Sequence, residues 1–97
     1  DPFYWYFSAA LAIREGDAGT AKVAIGKALA LAPSDATILF EAGHVAHYAG
    51  DDAQARSYWM RAAGSDPNGE TGKAAAKAVE MLGVTPTVKT DAQPPKE

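Results

Sequence analysis

Apolar side chains recur at three- and four-residue spacing along most of the chain, in runs interrupted by short Gly-Asp or Pro-Ser/Asn breaks, and that is the period of packed α-helices. The first run is predicted to reach about Glu15 and the third about Ala49, where Gly16 and Gly50 can enter the left-handed region and stop them. Asp17 and Asp51 come next as N-caps, accepting from the free amides of helices over Ala18–Leu31 and Asp52–Gly64. Pro33 and Pro67 end those helices because proline lacks a donor and clashes with the preceding turn, and Ser34 or Asp35 caps the next helix. Beyond Asn68, Ala75, Ala78, Val79 and Leu82 predict a fifth helix over Glu70–Leu82, ended by Gly83. From Val84 the composition turns to Thr, Pro, Lys and Asp, so 84–97 is expected to be an extended or disordered tail.

The breaks are periodic. Sliding the chain along itself until Ala12 meets Ala46 also pairs Gly16 with Gly50, Asp17 with Asp51, Ala21 with Ala55, Ala28 with Ala62 and Pro33 with Pro67. The same shift aligns Lys22 with Arg56, Lys27 with Arg61, Trp5 with Leu39 and Ile25 with Trp59. The identities fall on small residues, turn glycines and prolines, where backbone geometry restricts choice. Ala9, Gly43, Ala21, Ala55, Ala28 and Ala62 are small so that paired helices can cross closely; a larger side chain would overpack by about 1–3 kcal/mol.

This arrangement resembles the tetratricopeptide repeat family, whose unit of about 34 residues places small, turn, aromatic and closing proline positions in the same order. Leu39, Ala42, Gly43, Ala46, Gly50-Asp51, Ala55, Trp59, Ala62 and Pro67 carry the second copy, over 36–69. Trp5, Ala9, Ala12, Gly16-Asp17, Ala21, Ile25, Ala28 and Pro33 carry the first, over 2–35, with Ser8 and Ile25 where the family favours Leu and an aromatic. The resemblance implies an all-α fold, a right-handed superhelical stack of two antiparallel helix–turn–helix repeats plus a capping helix over 70–83. Lys77 would fall on a tight small position, so the fifth helix reads as the solvating end of the array rather than a third copy.

The same resemblance implies a concave groove lined by the first helix of each unit and open to a protein or peptide. By position that groove would present Phe3, Tyr6, Ala10, Ile13 and Arg14 from copy one, and Thr37, Phe40, His44, His47 and Tyr48 from copy two. It would be aromatic and weakly charged, suited to apolar side chains with hydrogen bonding at its edge. Some family members clamp a C-terminal carboxylate; the matching positions here hold Tyr6, Ala10, Phe40, His44, Ala74 and Ala78, which argues against that use.

The run Phe3-Tyr4-Trp5-Tyr6-Phe7 adds a second expectation. Five consecutive residues at about 100° each surround a helix, so one core face cannot bury them all. An upstream segment, a second copy of the chain or a partner protein would cover the remainder, and homo-oligomerisation through these five rings is one of the three.

Composition mostly narrows the choices. Ninety-seven residues make one domain, and the absence of cysteine excludes a disulfide framework and thiolate chemistry. A net charge of −3 without clustered Lys and Arg argues against nucleic acid. No apolar run approaches the ~20 residues of a membrane span; the compartment is left open, the cytoplasm slightly favoured over the periplasm. The chain starts at Asp1 and reads as part of a longer protein. Glu41, His44 and His47 share an arc but drift around the helix at i, i+3, i+6, so no metal site is assigned. Gly69-Glu70-Thr71-Gly72-Lys73 lacks phosphate-loop spacing, and Ser8, Ser34, Ser57 and Ser65 lack a His-acid arrangement. The expected function is therefore a scaffold or adaptor that binds a protein or peptide, with no catalytic residue and no cofactor. The alternatives are a structural oligomerisation module or an accessory domain of a larger enzyme or secretion system.

Overall fold

A computed structural model describes the backbone of residues 1–91 and the side chains of residues 1–83. Five helices run in order: α1 (Pro2–Arg14), α2 (Ala18–Leu31), α3 (Ala36–Tyr48), α4 (Asp52–Ser65) and α5 (Glu70–Asp91). The fold is all-α. Helices adjacent in sequence pack together, most extensively within the hairpins α1–α2 and α3–α4 and between α4 and α5. In addition α1 packs on α3 and α3 on α5, so α3 touches every other helix.

The two turns within the hairpins are built alike. Gly16 and Gly50 take φ of 79° and 90°, and each hands the chain to an aspartate with nearly the same backbone angles, φ −108° and ψ 84° at Asp17 against −105° and 78° at Asp51. The Asp17 amide donates to the Ala12 carbonyl at 2.8 Å and the Gly16 amide to that of Ile13 at 3.0 Å. The same pair of bonds runs from Asp51 to Ala46 and from Gly50 to His47. This satisfies carbonyls that a helix end would leave unpaired. Each aspartate carboxylate then accepts from the amide three residues on, Thr20 or Gln54, at 3.1 Å.

The second helices also end alike. Ala32 and Asp66, the residues before the two prolines, share φ of −145° and −146° with ψ of 74° and 65°, because a following proline excludes the helical region. Asp35, not Ser34, caps α3, accepting from the Ile38 amide at 3.1 Å. The Ser34 carbonyl instead accepts the Ser65 hydroxyl at 2.5 Å, and Arg61 donates to the Pro33 carbonyl at 3.3 Å. Both bonds tie the end of α4 to the connection between hairpins.

One boundary is corrected. Gly83 does not end α5, which runs on to Asp91, so residues 84–91 of the expected tail are helical; residues 92–97 lie outside the described residues. Among the described glycines only Gly16 and Gly50 have positive φ. Without a reversal into a capped helix, glycine is a helix weakener of about 1 kcal/mol, not a stop.

Two clusters form the core. Ala9, Ala12, Ala21, Ala24, Ile25 and Ala28 of the first hairpin meet Ile38, Ala42 and Val45 of α3. Leu39, Ala46, Ala55, Trp59 and Ala62 meet Ala75 of α5. The alanines keep the helices close, and the largest side chain among them, Trp59, needs a recess. Gly43 supplies it: a Cβ there would overlap the indole.

Gly43→Ala should therefore lower stability by about 1–3 kcal/mol, the range for overpacking a tight contact. Gly26 lies mid-helix, with nothing within 4 Å of the place a Cβ would take, so Gly26→Ala should be neutral or add up to about 1 kcal/mol from helix propensity. Thermal melts of the two variants should move in opposite directions, or only the first should move.

Candidate functional site

Helix α3 buries Ile38, Leu39, Ala42, Gly43, Val45 and Ala46. That leaves Thr37, Phe40, Glu41, His44 and His47 on the arc toward α1 and α5, where α3 meets both. Four rings gather there. Phe40 and His44 meet edge to face at 4.5 Å between centroids, and His44 and His47 lie 5.5 and 6.0 Å from the Trp59 ring. Trp59 is 4% exposed, and its indole N–H donates to the Phe40 carbonyl at 3.0 Å, so its polar atom is satisfied inside the cluster.

Beside these rings is an open hollow of about 280 Å³, lined by His44, His47 and Trp59 on one side and by Ala78, Met81 and Leu82 of α5 on the other. Its floor is aromatic and aliphatic. Polar capacity is confined to the two imidazoles. His47 Nδ1 lies 2.7 Å from Asp52 Oδ1; an ionised carboxylate only accepts, so Nδ1 carries the proton and Nε2 is the acceptor of the neutral ring. His44 Nδ1 stands 3.7 Å from Glu41 Oε1, too far for a hydrogen bond. The two imidazoles thus answer to different carboxylates, and among the described residues no group of three metal-ligating side chains converges.

The α1 side is more structural. Phe3 and Tyr6 meet edge to face at 5.9 Å, but Tyr6 and Ile13 both pack against the first core cluster, and Ala10 is half-buried. Burial, reinforced by the negative charge of Glu41 on α3, pushes the Tyr6 phenol above its ordinary value. Arg14 and Tyr48 are exposed, and the Tyr48 hydroxyl lies over the α1–α2 turn, 3.4 Å from where a Cβ on Gly16 would be.

Of the ten residues expected to line a groove, the structure brings Phe40, His44 and His47 into one cluster and Phe3 and Tyr6 into contact; Thr37 is half-buried beside neither hollow nor ring pair. Sequence reasoning placed Ala78 at a groove position but missed Trp59, Met81 and Leu82 as part of the lining. The signal was present: these α5 residues stand one repeat period after His44, His47 and Tyr48. Of the aromatic run, Trp5 and Tyr6 pack on the core while Phe3, Tyr4 and Phe7 are exposed.

Fold and site define an all-helical stack of the helical-repeat kind, with a hollow between its first-position helices. Comparison with protein-family models, curated proteins and solved structures yields no match to this chain. No helix among the described residues is long and apolar enough to cross a membrane.

The raised Tyr6 value has a consequence at high pH. A phenol whose folded value exceeds its unfolded one stabilises the fold fully below the unfolded value, and that contribution is lost as pH rises through the folded one. Carbon-13 NMR of labelled tyrosine should show Tyr6 titrating above 10.0. Glu41→Gln should bring it part of the way down, since burial is the larger cause. A Tyr6 midpoint unmoved by that substitution would separate the ring from α3.

Proposed function

We propose that this chain is a tetratricopeptide-type interaction module that acts by binding another protein or peptide, not by catalysis. The observation that carries the reading is the hollow between α3 and α5. Its residues His44, His47, Ala78, Met81 and Leu82 fall at groove positions of two successive repeat periods, and Trp59 forms its floor. An apolar bed with two imidazoles at its rim suits a segment that inserts an aliphatic or aromatic side chain and hydrogen-bonds to a ring nitrogen beside it. The repeated turn geometry and the α1–α3–α5 packing support the family assignment, and the absence of Lys or Asn at the carboxylate-clamp positions directs the choice toward internal apolar segments.

Peptides selected from a random phage-displayed library on the full chain should converge on apolar or aromatic side chains. Their binding should shift the NMR signals of His44, His47, Ala78 and Leu82. His44→Ala, an exposed substitution, should weaken binding by about 1–2 kcal/mol, roughly five- to thirtyfold. Ligands that map to the opposite surface formed by α2 and α4, with affinity unchanged in His44→Ala, would defeat the proposal.

A further inference from the structure

The chain contains its own standard for the packing of a first-position helix. Ile38 and Val45 of α3 are 0% and 2% exposed, in one cluster with Ile25 and Ala28 of α2. Their counterparts one repeat earlier, Tyr4 and Leu11 of α1, are 63% and 54% exposed, and Val23 and Phe7 beside them are exposed as well. Leu11 is aliphatic like Val45, and Tyr4 presents an aromatic ring where α3 has Ile38; the cover differs between the two helices.

The cavities repeat too. A cleft of about 180 Å³ behind α3 has Ala42, Asp51, Gln54 and Tyr58 on the second hairpin and Lys22, Ile25, Gly26 and Leu29 of α2 facing them. On the first hairpin a larger open hollow of about 620 Å³ is lined by Ser8, Asp17, Thr20 and Ala24, together with Trp5 and Val23. Ser8, Asp17, Thr20 and Ala24 are the positional counterparts of Ala42, Asp51, Gln54 and Tyr58. The second hairpin has an α2 over this surface, and the first does not. The α2 residues that fill the role stand at i, i+3, i+4 and i+7, one face of a helix. Lys22 among them shares its cleft with Asp51. The counterpart of Asp51 is Asp17, which alone among the described residues lining the open hollow is charged.

We propose that the outer face of α1, with the start of α2, is a docking site for an amphipathic α-helix of a partner protein that presents a basic residue followed by aliphatic residues three and seven positions later. The basic residue lies toward Asp17, and the aliphatic pair covers Tyr4, Ser8 and Leu11 as Ile25 and Leu29 lie toward Ala42 and Val45. A second copy of this chain is a poor source of that helix. Its α2 face is already turned to its own α3, and Trp59 and Ala63, the α4 counterparts of Ile25 and Leu29, pack in the cluster with α5. This seat lies apart from the hollow between α3 and α5, so each can fail without the other.

The probe is a stapled, fluorescein-labelled peptide with the sequence of residues 18–33, added to the full chain. Saturable binding is expected in anisotropy, with NMR shifts at Tyr4, Ser8, Leu11 and Val23. Leu11→Glu and Val23→Glu in the chain, both at exposed positions, should each weaken it about tenfold or more, as should Leu29→Glu in the peptide. His44→Ala should leave it unchanged. Circular dichroism melts confirm that the variants fold, and Leu11→Ala gives a milder loss in the same direction. Absence of saturation at millimolar peptide, or shifts confined to other surfaces, overturns the proposal. So does self-association in sedimentation that Leu11→Glu abolishes while the peptide fails to bind, which assigns the face to a second copy. Binding of the chain to phosphatidylcholine vesicles without peptide binding assigns it to a lipid surface and overturns the proposal equally.

Discussion

The indole of Trp59 lying against the bare backbone of Gly43 is the contact on which the second half of the molecule is built. Helices of mostly alanine can approach closely, but closeness alone buries little area per residue, and each alanine contributes less than a large side chain would. One indole placed at the crossing changes that balance. It buries far more apolar surface than any of its neighbours, provided the facing helix has no Cβ in its way. Gly43 provides that condition, and the Phe40 carbonyl takes the indole proton that burial would otherwise strand. The same ring then forms the floor of the hollow beside His44 and His47, so the core and the hollow share one side chain.

The first hairpin solves the same crossing with different volumes. Where the second pairs Gly43 with Trp59, the first pairs Ala9 with Ile25, and both members of that pair are buried. Adding a methyl to one helix while shrinking the facing side chain conserves the space between them, which is how cores accept substitution without loss of packing. Ile25 lacks an indole proton and leaves no flat ring at the surface. On the α1–α3 side Tyr6 and Ile13 are half-buried against the first core cluster, and the hollow beside Trp59 lies toward α5.

Legibility in the sequence was greatest where backbone chemistry leaves few options. The left-handed glycines, the aspartate caps and the residues before Pro33 and Pro67 all stand where residue type requires them, with dihedral angles matched from one repeat to the next. Gly83 misleads because the rule for a helix-ending glycine depends on the residue after it; Gly16 and Gly50 each precede an aspartate that starts a new helix, and Gly83 does not. The site was legible in part. Phe40, His44 and His47 come from position in the repeat, whereas Trp59 reads as a packing residue and Ala78, Met81 and Leu82 as part of a cap. A packing position and a lining position are the same residue when a ring is wide enough to reach both surfaces, and spacing along one helix does not report ring width.

The aromatic run on α1 shows how repetition resolves an ambiguity that a single helix leaves. Taken alone, five consecutive rings mean only that some must be exposed. Set against α3, they divide: Trp5 and Tyr6 take the places of Leu39 and Phe40, packing inward or toward the concave side, while Tyr4 takes that of fully buried Ile38. A large ring exposed in the first unit, at a position fully buried in the second, stands out because a free array end is expected to be polar. Leu11 against Val45 makes the same comparison one helical stretch further on. The two residues together give the proposed site a direction as well as a location, along α1 as α2 runs along α3. In that sense the α2–α3 contact serves twice, holding the two hairpins together and giving the geometry that the proposed helix on the outer face of α1 would take.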